Sequence, residues 1–338
     1  MRTLLDAVHR HETAAFVLLT YACSWLLWKA FDRAYLNGQL FALPFIVLGM
    51  YGPGLVSLWL SARSEPGPRQ GRRRVATIAF LATWLAASLL ITLDQVLNEG
   101  RAPTALAIAA CVVAALIPAA VLSSAFRGAP GVRRHLATLV RPRGAPPYYV
   151  LAAVLFVGIW GLGVLVSRAL GLPVSQRDLP AAATSLGVAG AVALTFFYTC
   201  LPNALGEEVG WRGFALPRLQ ARLSPLAASL VLWACWALWH GPAYLGGFAP
   251  QSLGDTLAEW VLVLPVTVIF TWLYNRTRAS LAAVALLHPA MNTATRFLPI
   301  TLAGILLLFV LAMACVIADR MWDRPPGTGP CCPPPGLA

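Results

Sequence analysis

Ten apolar runs, each close to the length of a membrane-spanning helix, constrain this 338-residue chain more than any other feature. A helix needs about 20 apolar residues to cross the bilayer core. The runs are continuous, which favours helices over the alternating strands of an outer-membrane barrel. The sequence therefore predicts an all-α, polytopic transmembrane bundle of eight to ten helices, because one run is short. The candidate spans are 13–30, 41–62, 75–96, 103–126, 148–168, 181–206, 225–246, 256–275, 280–296 and 297–318.

Basic residues are concentrated in two of the loops between these runs. Loops 63–74 and 127–143 are rich in arginine, whereas loops 31–40, 97–102 and 169–180 hold far fewer basic residues. By the positive-inside rule the arginine-rich loops are cytoplasmic, which predicts a multi-pass protein of the inner (plasma) membrane with both termini inside. The net charge of +12 is then explained by topology and by contact with anionic lipid, and we expect no nucleic-acid partner.

Polar groups at membrane depth divide the chain into unequal parts. Residues 1–180 are predicted to form scaffold helices, and residues 181–296 to form a catalytic core that holds nearly all of these groups. Residues 297–320 complete the bundle as a final helix. The proline-rich end, residues 321–338, is predicted to be disordered. We find no internal repeat, which disfavours an inverted-repeat transporter.

The pattern E-E-x-x-x-R near the end of one apolar run is the first candidate site. Ionisable groups at membrane depth are costly and indicate function. On a helix, Glu208 and Arg212 share a face, while Glu207 points about 100° away. Two adjacent carboxylates in a low dielectric do not both ionise cheaply, so a guanidinium held against Glu208 leaves Glu207 as the better base. The alternative is an exposed helix end with a surface ion pair.

Two histidines also lie inside apolar runs, and a proline follows each of them within two residues. His240 comes four residues after Trp236, and His288 comes four residues before Asn292, so each pair shares a helix face. Proline frees backbone carbonyls, which are tolerated at membrane depth where they line a wet cavity or are buried in protein. We therefore predict one shared cavity. The alternative for a single histidine is a satisfied packing residue.

This set of side chains contains what hydrolysis requires. A hydrolase needs a base that activates water and donors that bind the oxyanion. Glu207 can be the base, His240 and His288 can hold water or a metal, and Asn292 can donate to the oxyanion. Glu207, His240 and His288 also match a catalytic set for Zn²⁺ or another divalent metal, while a metal-free mechanism stays open. The spacing is not H-E-x-x-H, so the chain is not a zincin.

The order and spacing of these motifs resemble those of one family of intramembrane proteases. The chain is similar to the CAAX prenyl protease and bacteriocin-processing (CPBP, or Rce1-like) family over residues 181–296, about a third of its length. The resemblance rests on three motifs: EEVGWR at 207–212, W-x-x-x-H at 236–240 and HPAMN at 288–292. It implies a helical membrane fold with a conical cavity that opens to the cytosol.

The resemblance also implies a role for each residue of the site. Glu207 would activate water with His240, while His288 and Asn292 would bind the oxyanion or complete a metal site. The supporting residues would be Glu208, Arg212 and Trp236, the last of which stands where the family more often has Phe. The expected partner is a membrane-associated protein or peptide substrate in the lipid bilayer. Two other functions stay open: a non-catalytic binding or immunity protein of the same fold, and an ion-coupled transporter.

Overall fold

The protein is a helical bundle in the computed structural model, which describes residues 11–324. The predicted all-α polytopic fold is confirmed. Residues 325–338 of the predicted proline-rich tail lie outside the described residues. The helices before residue 181 are α1 Glu12–Leu36, α2 Leu43–Met50, α3 Gly52–Ser64, α4 Arg73–Leu97, α5 Ala105–Ala114, α6 Leu116–Ser124, α7 Pro130–His135, α8 Ala137–Val140 and α9 Pro146–Ala169. The later helices are α10 Ala182–Cys200, α11 Leu216–Gln220, α12 Pro225–Tyr244, α13 Leu253–Arg276, α14 Leu281–Phe297 and α15 Leu302–Ala318.

The number of spans lies at the lower end of the predicted range or one below it. Within residues 11–324, seven helical segments are long and apolar enough to cross a membrane, or eight if one bent pair, Leu40–Met50 with Gly52–Ser64, forms a single span. Helices α14 and α15 contain 17 residues each. That length is about 26 Å of helix, which is short of the roughly 30 Å hydrocarbon core. These two short helices account for the difference between eight spans and ten.

The helix that carries the glutamates is longer than the sequence indicated. The predicted span 181–206 in fact belongs to a helical path of 39 residues, Ala182–Gln220. After α10 the path continues through π-helical turns at Leu201–Glu208 and Trp211–Ala215 before α11 begins. A π-helical turn accommodates an extra residue within a helix and is frequent at functional sites. The extension places Glu207 well inside the span rather than at its end.

The bend between α2 and α3 packs directly against these π-helical turns. A Cβ added to Gly54 would lie 2.6 Å from the carbonyl oxygen of Leu205, and one added to Gly210 would lie 2.5 Å from the backbone of Pro53. Real side chains do not fit at such distances, so glycine is required where the two backbones meet. This contact fixes the glutamate-bearing segment against the first part of the bundle.

Hydrogen bonds between loops place the basic connections on one face of the bundle. The short strands β1, Gln70–Gly71, and β2, Arg127–Gly128, pair antiparallel and hold the two predicted basic loops together. The backbone N–H of Arg143 donates to Ser280 Oγ at 3.2 Å, which brings the turn between α13 and α14 to the same face. We define the arginine-rich surface as loops 63–74 and 127–143 with the turn at Ser280.

A second set of loops meets at the other end of the bundle. The backbone N–H of Ala182 donates to Asn98 Oδ1 at 3.1 Å, and Arg177 Nε donates to the carbonyl of Arg296 at 3.4 Å. These bonds join the loop after α4, the loop before α10 and the end of α14. Pro217 and Arg218 of α11 line a cavity with Glu65 and Arg134 at the arginine-rich surface, so helix α12, which follows in the chain, runs from that surface towards this end. We call this end the opposite face.

Candidate active site

The structure brings the predicted residues of the core helices together around one cavity. This cavity has a volume of 260 Å³, and its lining includes Glu207, Trp236, His240, His288 and Asn292. Four of these residues come from two separate helices, α12 and α14, and the glutamate comes from the π-helical turn. The expectation of one shared cavity is therefore met by the geometry.

Glu208 lies behind the cavity in a closed polar cluster. Its Oε1 accepts hydrogen bonds from Arg212 Nη1 at 2.9 Å and from His288 Nδ1 at 2.8 Å. The side chains of Glu208 and Arg212 are both 0% exposed. The alternative of a surface ion pair at an exposed helix end is therefore wrong. A buried pair of this kind is strongly destabilising to break, because the remaining charge is left without compensation.

Aromatic rings complete the surroundings of the buried guanidinium. Arg212 Cζ lies 4.1 Å from the ring centroid of Trp236 and 4.5 Å from that of Phe270. A cation over the face of an aromatic ring is attracted by the negative charge of that face, and more strongly where water is excluded. Arg212 is thus held by a carboxylate and by two rings, which fixes its position behind the cavity.

Glu207 has different neighbours, and they lie on the cavity side. Its Oε2 accepts a hydrogen bond from the indole Nε1 of Trp236 at 2.7 Å. The same oxygen lies 3.9 Å from Nε2 of His240. Nδ1 of His240 donates to the carbonyl of Trp236 at 2.9 Å, which leaves Nε2 directed towards the glutamate. A single tryptophan therefore orients both the carboxylate and the imidazole.

His288 connects the closed cluster with the cavity. It is 3% exposed, and its Nδ1 donates to Glu208, so Nε2 is the ring nitrogen that remains for other contacts. The ring stands edge-to-face against Trp236, with centroids 5.3 Å apart. Asn292 follows one helical turn later on α14 and lines the same cavity. The predicted pairing of His288 and Asn292 on one helix face agrees with this arrangement.

The possible metal donors do not converge on one point. In the part of the chain that the structure describes, no group of three or more His, Cys, Asp or Glu side chains is arranged to hold a metal ion. His288 turns its Nδ1 to Glu208, and Glu207 receives the indole of Trp236. The three predicted donors Glu207, His240 and His288 line one cavity without forming such a group, so they do not fit a metal centre as arranged here. A metal-dependent and a metal-free mechanism both stay predictions.

Residues of the predicted scaffold also support the site, and no sequence motif marks them. The hydroxyl of Tyr51 donates to the carbonyl of Leu201, at the start of the π-helical turns. Nε2 of His135 donates to the carbonyl of Val209 at 2.9 Å, directly after the glutamate pair. Ser57 Oγ lies 3.2 Å from the same nitrogen. Side chains from the first part of the bundle therefore bind backbone carbonyls on both sides of the glutamates.

The environment of His135 keeps its ring neutral at ordinary pH. Burial is the main cause, and the charge of Arg218 adds to it, so that the pKa of His135 is lowered to about 4. The hydrogen bond to the carbonyl of Val209 opposes this shift only in part. His135 belongs to the arginine-rich stretch RRH at 133–135. From this arginine-rich stretch alone, His135 would be expected at the surface.

The wall of the cavity continues from the glutamate towards the loop after α12. Tyr244 stacks on His240, with centroids 5.3 Å apart, and its hydroxyl donates to Glu259 Oε1 at 2.8 Å. Gln251 Nε2 donates to the other oxygen of Glu259 at 2.9 Å. Phe248 also lines the cavity. Glu259 lies inside a predicted apolar run, 256–275, so its charge marks it in the sequence as a further candidate site residue.

A glutamate pair, two histidines and an asparagine around one cavity define a multi-pass membrane protein with a buried polar site. A family model described as type II CAAX prenyl endopeptidase, Rce1-like, matches residues 189–294, which carry all of these side chains. The resemblance to the Rce1-like, or CPBP, family that the motifs predicted is therefore confirmed over this part of the chain.

A curated relative supports the same assignment. CAAX prenyl protease 2 of Methanococcus maripaludis is 32% identical over 133 residues, which are 36% of this chain and 49% of that protein. The chain thus spans about half the length of the curated relative it matches. The similarity concerns the core of the bundle and leaves the first helices outside the matched family region.

Proposed function

We propose that this protein is an intramembrane endopeptidase that hydrolyses peptide bonds of membrane-associated proteins or peptides. The observation that carries the proposal is the separation of the two glutamates. Glu208 is held by Arg212 and His288. Glu207 faces the cavity, 3.9 Å from Nε2 of His240. A carboxylate and an imidazole at this separation can hold one water molecule between them.

In the proposed reaction Glu207 is the general base. It removes a proton from the water as the oxygen attacks the scissile carbonyl, and it then passes the proton to the leaving amine. The indole of Trp236 holds the carboxylate in position, and His240 orients the water. Asn292 donates to the oxyanion from its side-chain amide. His288 joins it through an N–H at Nε2, since its Nδ1 donates to Glu208.

Each step of this proposal uses groups of the chain itself. A bound Zn²⁺ or other divalent ion would act as a Lewis acid on the carbonyl or on the water. Because the donors do not form a metal group in the described residues, no step is assigned to a metal. Metal analysis of the purified protein, and cleavage assays after treatment with a chelator, test this part. Activity that survives complete removal of metal supports the metal-free alternative, and activity that is lost with the metal and restored by Zn²⁺ supports the metal-dependent one.

The relatives suggest the kind of substrate. The curated relative is named a CAAX prenyl protease, so a prenylated peptide is one candidate, and a peptide without a prenyl group is another. We place the protein in the plasma membrane as a multi-pass protein, with the arginine-rich surface on the cytoplasmic side. The substrate then lies in or at the same bilayer, since the site is enclosed by membrane helices.

New peptide termini provide the test of the proposed function. The purified protein and its Glu207→Ala variant are incubated with a membrane proteome, and the termini that arise are identified by mass spectrometry. Termini that appear with the unsubstituted protein and are absent with the variant support an endopeptidase. The matched control is Glu65→Ala, which removes a glutamate from a surface ion pair with Arg134. If the unsubstituted protein and Glu207→Ala give the same termini, a non-catalytic binding role replaces the proposal.

A further inference from the structure

Two N–H donors in the wall of the catalytic cavity have no acceptor within the described residues. They are Nδ2 of Asn203 and Nε1 of Trp239, and both side chains line the cavity. The indole of Trp236 in the same wall is paired by contrast, since it donates to Glu207. A buried donor without an acceptor is rare in a folded protein and calls for an explanation.

The tryptophan has a packing role that accounts for its position. Trp239 is 2% exposed, and its ring centroid lies 4.9 Å from that of Trp28 and 6.1 Å from that of Trp211. An indole buried among aromatic rings stabilises the bundle through its large apolar area, even when its N–H is unpaired. The unpaired N–H of Trp239 therefore indicates no function by itself.

The asparagine in the same wall has no such packing role. Asn203 is 5% exposed, and its nearest neighbours in the segment, Pro202, Ala204 and Leu205, have apolar side chains. Burying an amide without a partner is destabilising, and an apolar side chain would avoid this cost. Packing alone would thus favour an apolar residue at position 203. The amide indicates a contact that the folded chain itself does not supply.

Asn203 lies one turn before the candidate base. Both residues belong to the π-helical turn Leu201–Glu208 and line the same cavity. Helix α14, which carries Asn292, packs against this turn. Asn203 therefore borders the space that a peptide occupies when its scissile bond lies at Glu207.

The charges around the cavity select the kind of acceptor that Asn203 can bind. Among the described residues, the lining contains two carboxylates, Glu207 and Glu259, and no arginine or lysine. These carboxylates would repel a carboxylate or phosphate of a ligand, and a low dielectric strengthens such repulsion. A neutral carbonyl is not repelled, and the peptide backbone has one at each residue. The acceptor that fits is therefore a backbone carbonyl.

We propose that Asn203 is a substrate-binding residue: its side-chain amide donates to a backbone carbonyl of the peptide next to the scissile bond and holds the peptide against Glu207. The last torsion of an asparagine side chain is soft, so the amide can turn Nδ2 towards a carbonyl that enters the cavity. This inference rests on the proposed function and adds a residue outside the three motifs of the sequence. The bond forms in the bound substrate and persists in the transition state, so it acts on KM more than on kcat.

Removal of the amide tests the proposal. Asn203→Ala, and Asn203→Val as a second variant of larger size, are compared with the unsubstituted protein on a peptide found in the terminus experiment. We expect KM to rise by roughly five- to tenfold, with kcat changed less and with no loss of thermal stability, since the amide has no partner in the described fold. The matched control is Gln220→Ala, which removes another buried unpaired N–H at a residue outside the lining of the cavity. Gln220→Ala should leave KM unchanged.

Peptide analogues show whether the amide contacts the substrate. In each analogue one peptide bond beside the scissile bond is replaced by an alkene of the same geometry, which removes the carbonyl. One analogue should raise KM in the unsubstituted protein and cause no further rise in Asn203→Ala, a dependence that a purely structural role would not produce.

Two results would overturn the proposal while the proposed function stands. One is a KM for Asn203→Ala and Asn203→Val equal to that of the unsubstituted protein. The other is a set of analogues whose effects on KM are the same with and without the amide. If the unsubstituted protein cleaves no peptide at all, the proposed function fails, and the inference about Asn203 fails with it.

Discussion

Two adjacent glutamates lie in regions of opposite character. The region around Glu208 is closed: an arginine, a histidine and two aromatic rings fill it, and the side chain is fully buried. The region around Glu207 is a cavity wall, where the carboxylate accepts one indole N–H and faces an imidazole. Of these two neighbouring residues, Glu208 belongs to a buried ion pair and Glu207 is the candidate base.

The difference shows how a membrane protein can use a pair of carboxylates without leaving both charged in a low dielectric. Arg212 and His288 hold the inner one, whereas the outer one faces the cavity. His288 touches the inner carboxylate and also lines the cavity, which joins the two regions. Substitutions around Glu207 should therefore lower the rate of cleavage, and substitutions around Glu208 should lower the stability of the fold.

The largest expected effect is on cleavage, when Glu207 in the cavity wall is substituted. Glu207→Gln keeps the size of the side chain and removes the base, so we expect cleavage to fall by about 10³-fold, within the range of general base catalysis, with little loss of folded protein. The measurement is kcat for a peptide substrate found in the terminus experiment. Glu65→Gln is the control, since Glu65 pairs with Arg134 on the surface. Near-normal cleavage by Glu207→Gln would remove Glu207 from the mechanism.

The next largest expected effect is on stability, when Arg212 in the closed cluster around Glu208 is substituted. Arg212→Met leaves Glu208 buried without its cation, and we expect a loss of about 3–5 kcal/mol of unfolding free energy. Arg134→Met is the matched control, because Arg134 is 64% exposed in its pair with Glu65, and such pairs contribute about 1 kcal/mol or less. Unfolding in detergent or in bicelles measures both variants. Equal stability of the two would contradict the contrast between the regions.

A smaller effect should follow when the indole that links Trp236 to Glu207 is removed. Trp236→Phe keeps an aromatic ring but loses the N–H donor. We expect kcat to fall by roughly tenfold, since a hydrogen bond to a charged group contributes about 1.5–3 kcal/mol, and KM to change less. Trp233→Phe is the control on the same helix, because Trp233 donates to the carbonyl of Trp260 instead. If both variants have the same kcat, the indole does not orient the base.

The smallest effect concerns the support from the first part of the bundle. His135 has a pKa of about 4 in the fold and near 6.5 when unfolded. Because the unfolded chain binds the proton more readily, the contribution of His135 to stability is complete above pH 6.5 and is lost as the pH falls towards 4.

Melting temperatures between pH 4 and pH 7 measure this dependence. His135→Gln should make the profile flatter in that range, since glutamine does not titrate. His11→Gln, at the start of α1, is the control and should leave the profile as it is. A profile that stays the same in His135→Gln would show that this histidine is not the group that titrates.

Much of the fold and part of the site could be predicted from the sequence. The continuous apolar runs predicted a helical membrane bundle, and the four-residue spacing predicted the contact between Glu208 and Arg212. Proline near each histidine indicated a shared cavity. These features are local, because they depend on helix geometry and on the cost of burying polar groups.

The remaining features depend on contacts between distant parts of the chain. The π-helical turns moved Glu207 deeper than the span 181–206 allowed. The carbonyls of Leu201, in the first turn, and of Val209, between the two turns, are bound by Tyr51 and His135, which are more than 70 residues away in sequence. No local pattern marks such residues. The unpaired amide of Asn203 likewise becomes visible only when the elements around it are in place.

The most direct test of the division between the two glutamates is the rate of cleavage per folded molecule in Glu207→Gln and in Glu208→Gln. Folded protein is quantified in each preparation, and cleavage of the same peptide is measured. We predict that Glu208→Gln yields less folded protein but that its folded molecules still cleave, while Glu207→Gln is folded and cleaves at background level. Cleavage by Glu207→Gln that equals or exceeds that of Glu208→Gln would contradict the assignment of Glu207 as the base.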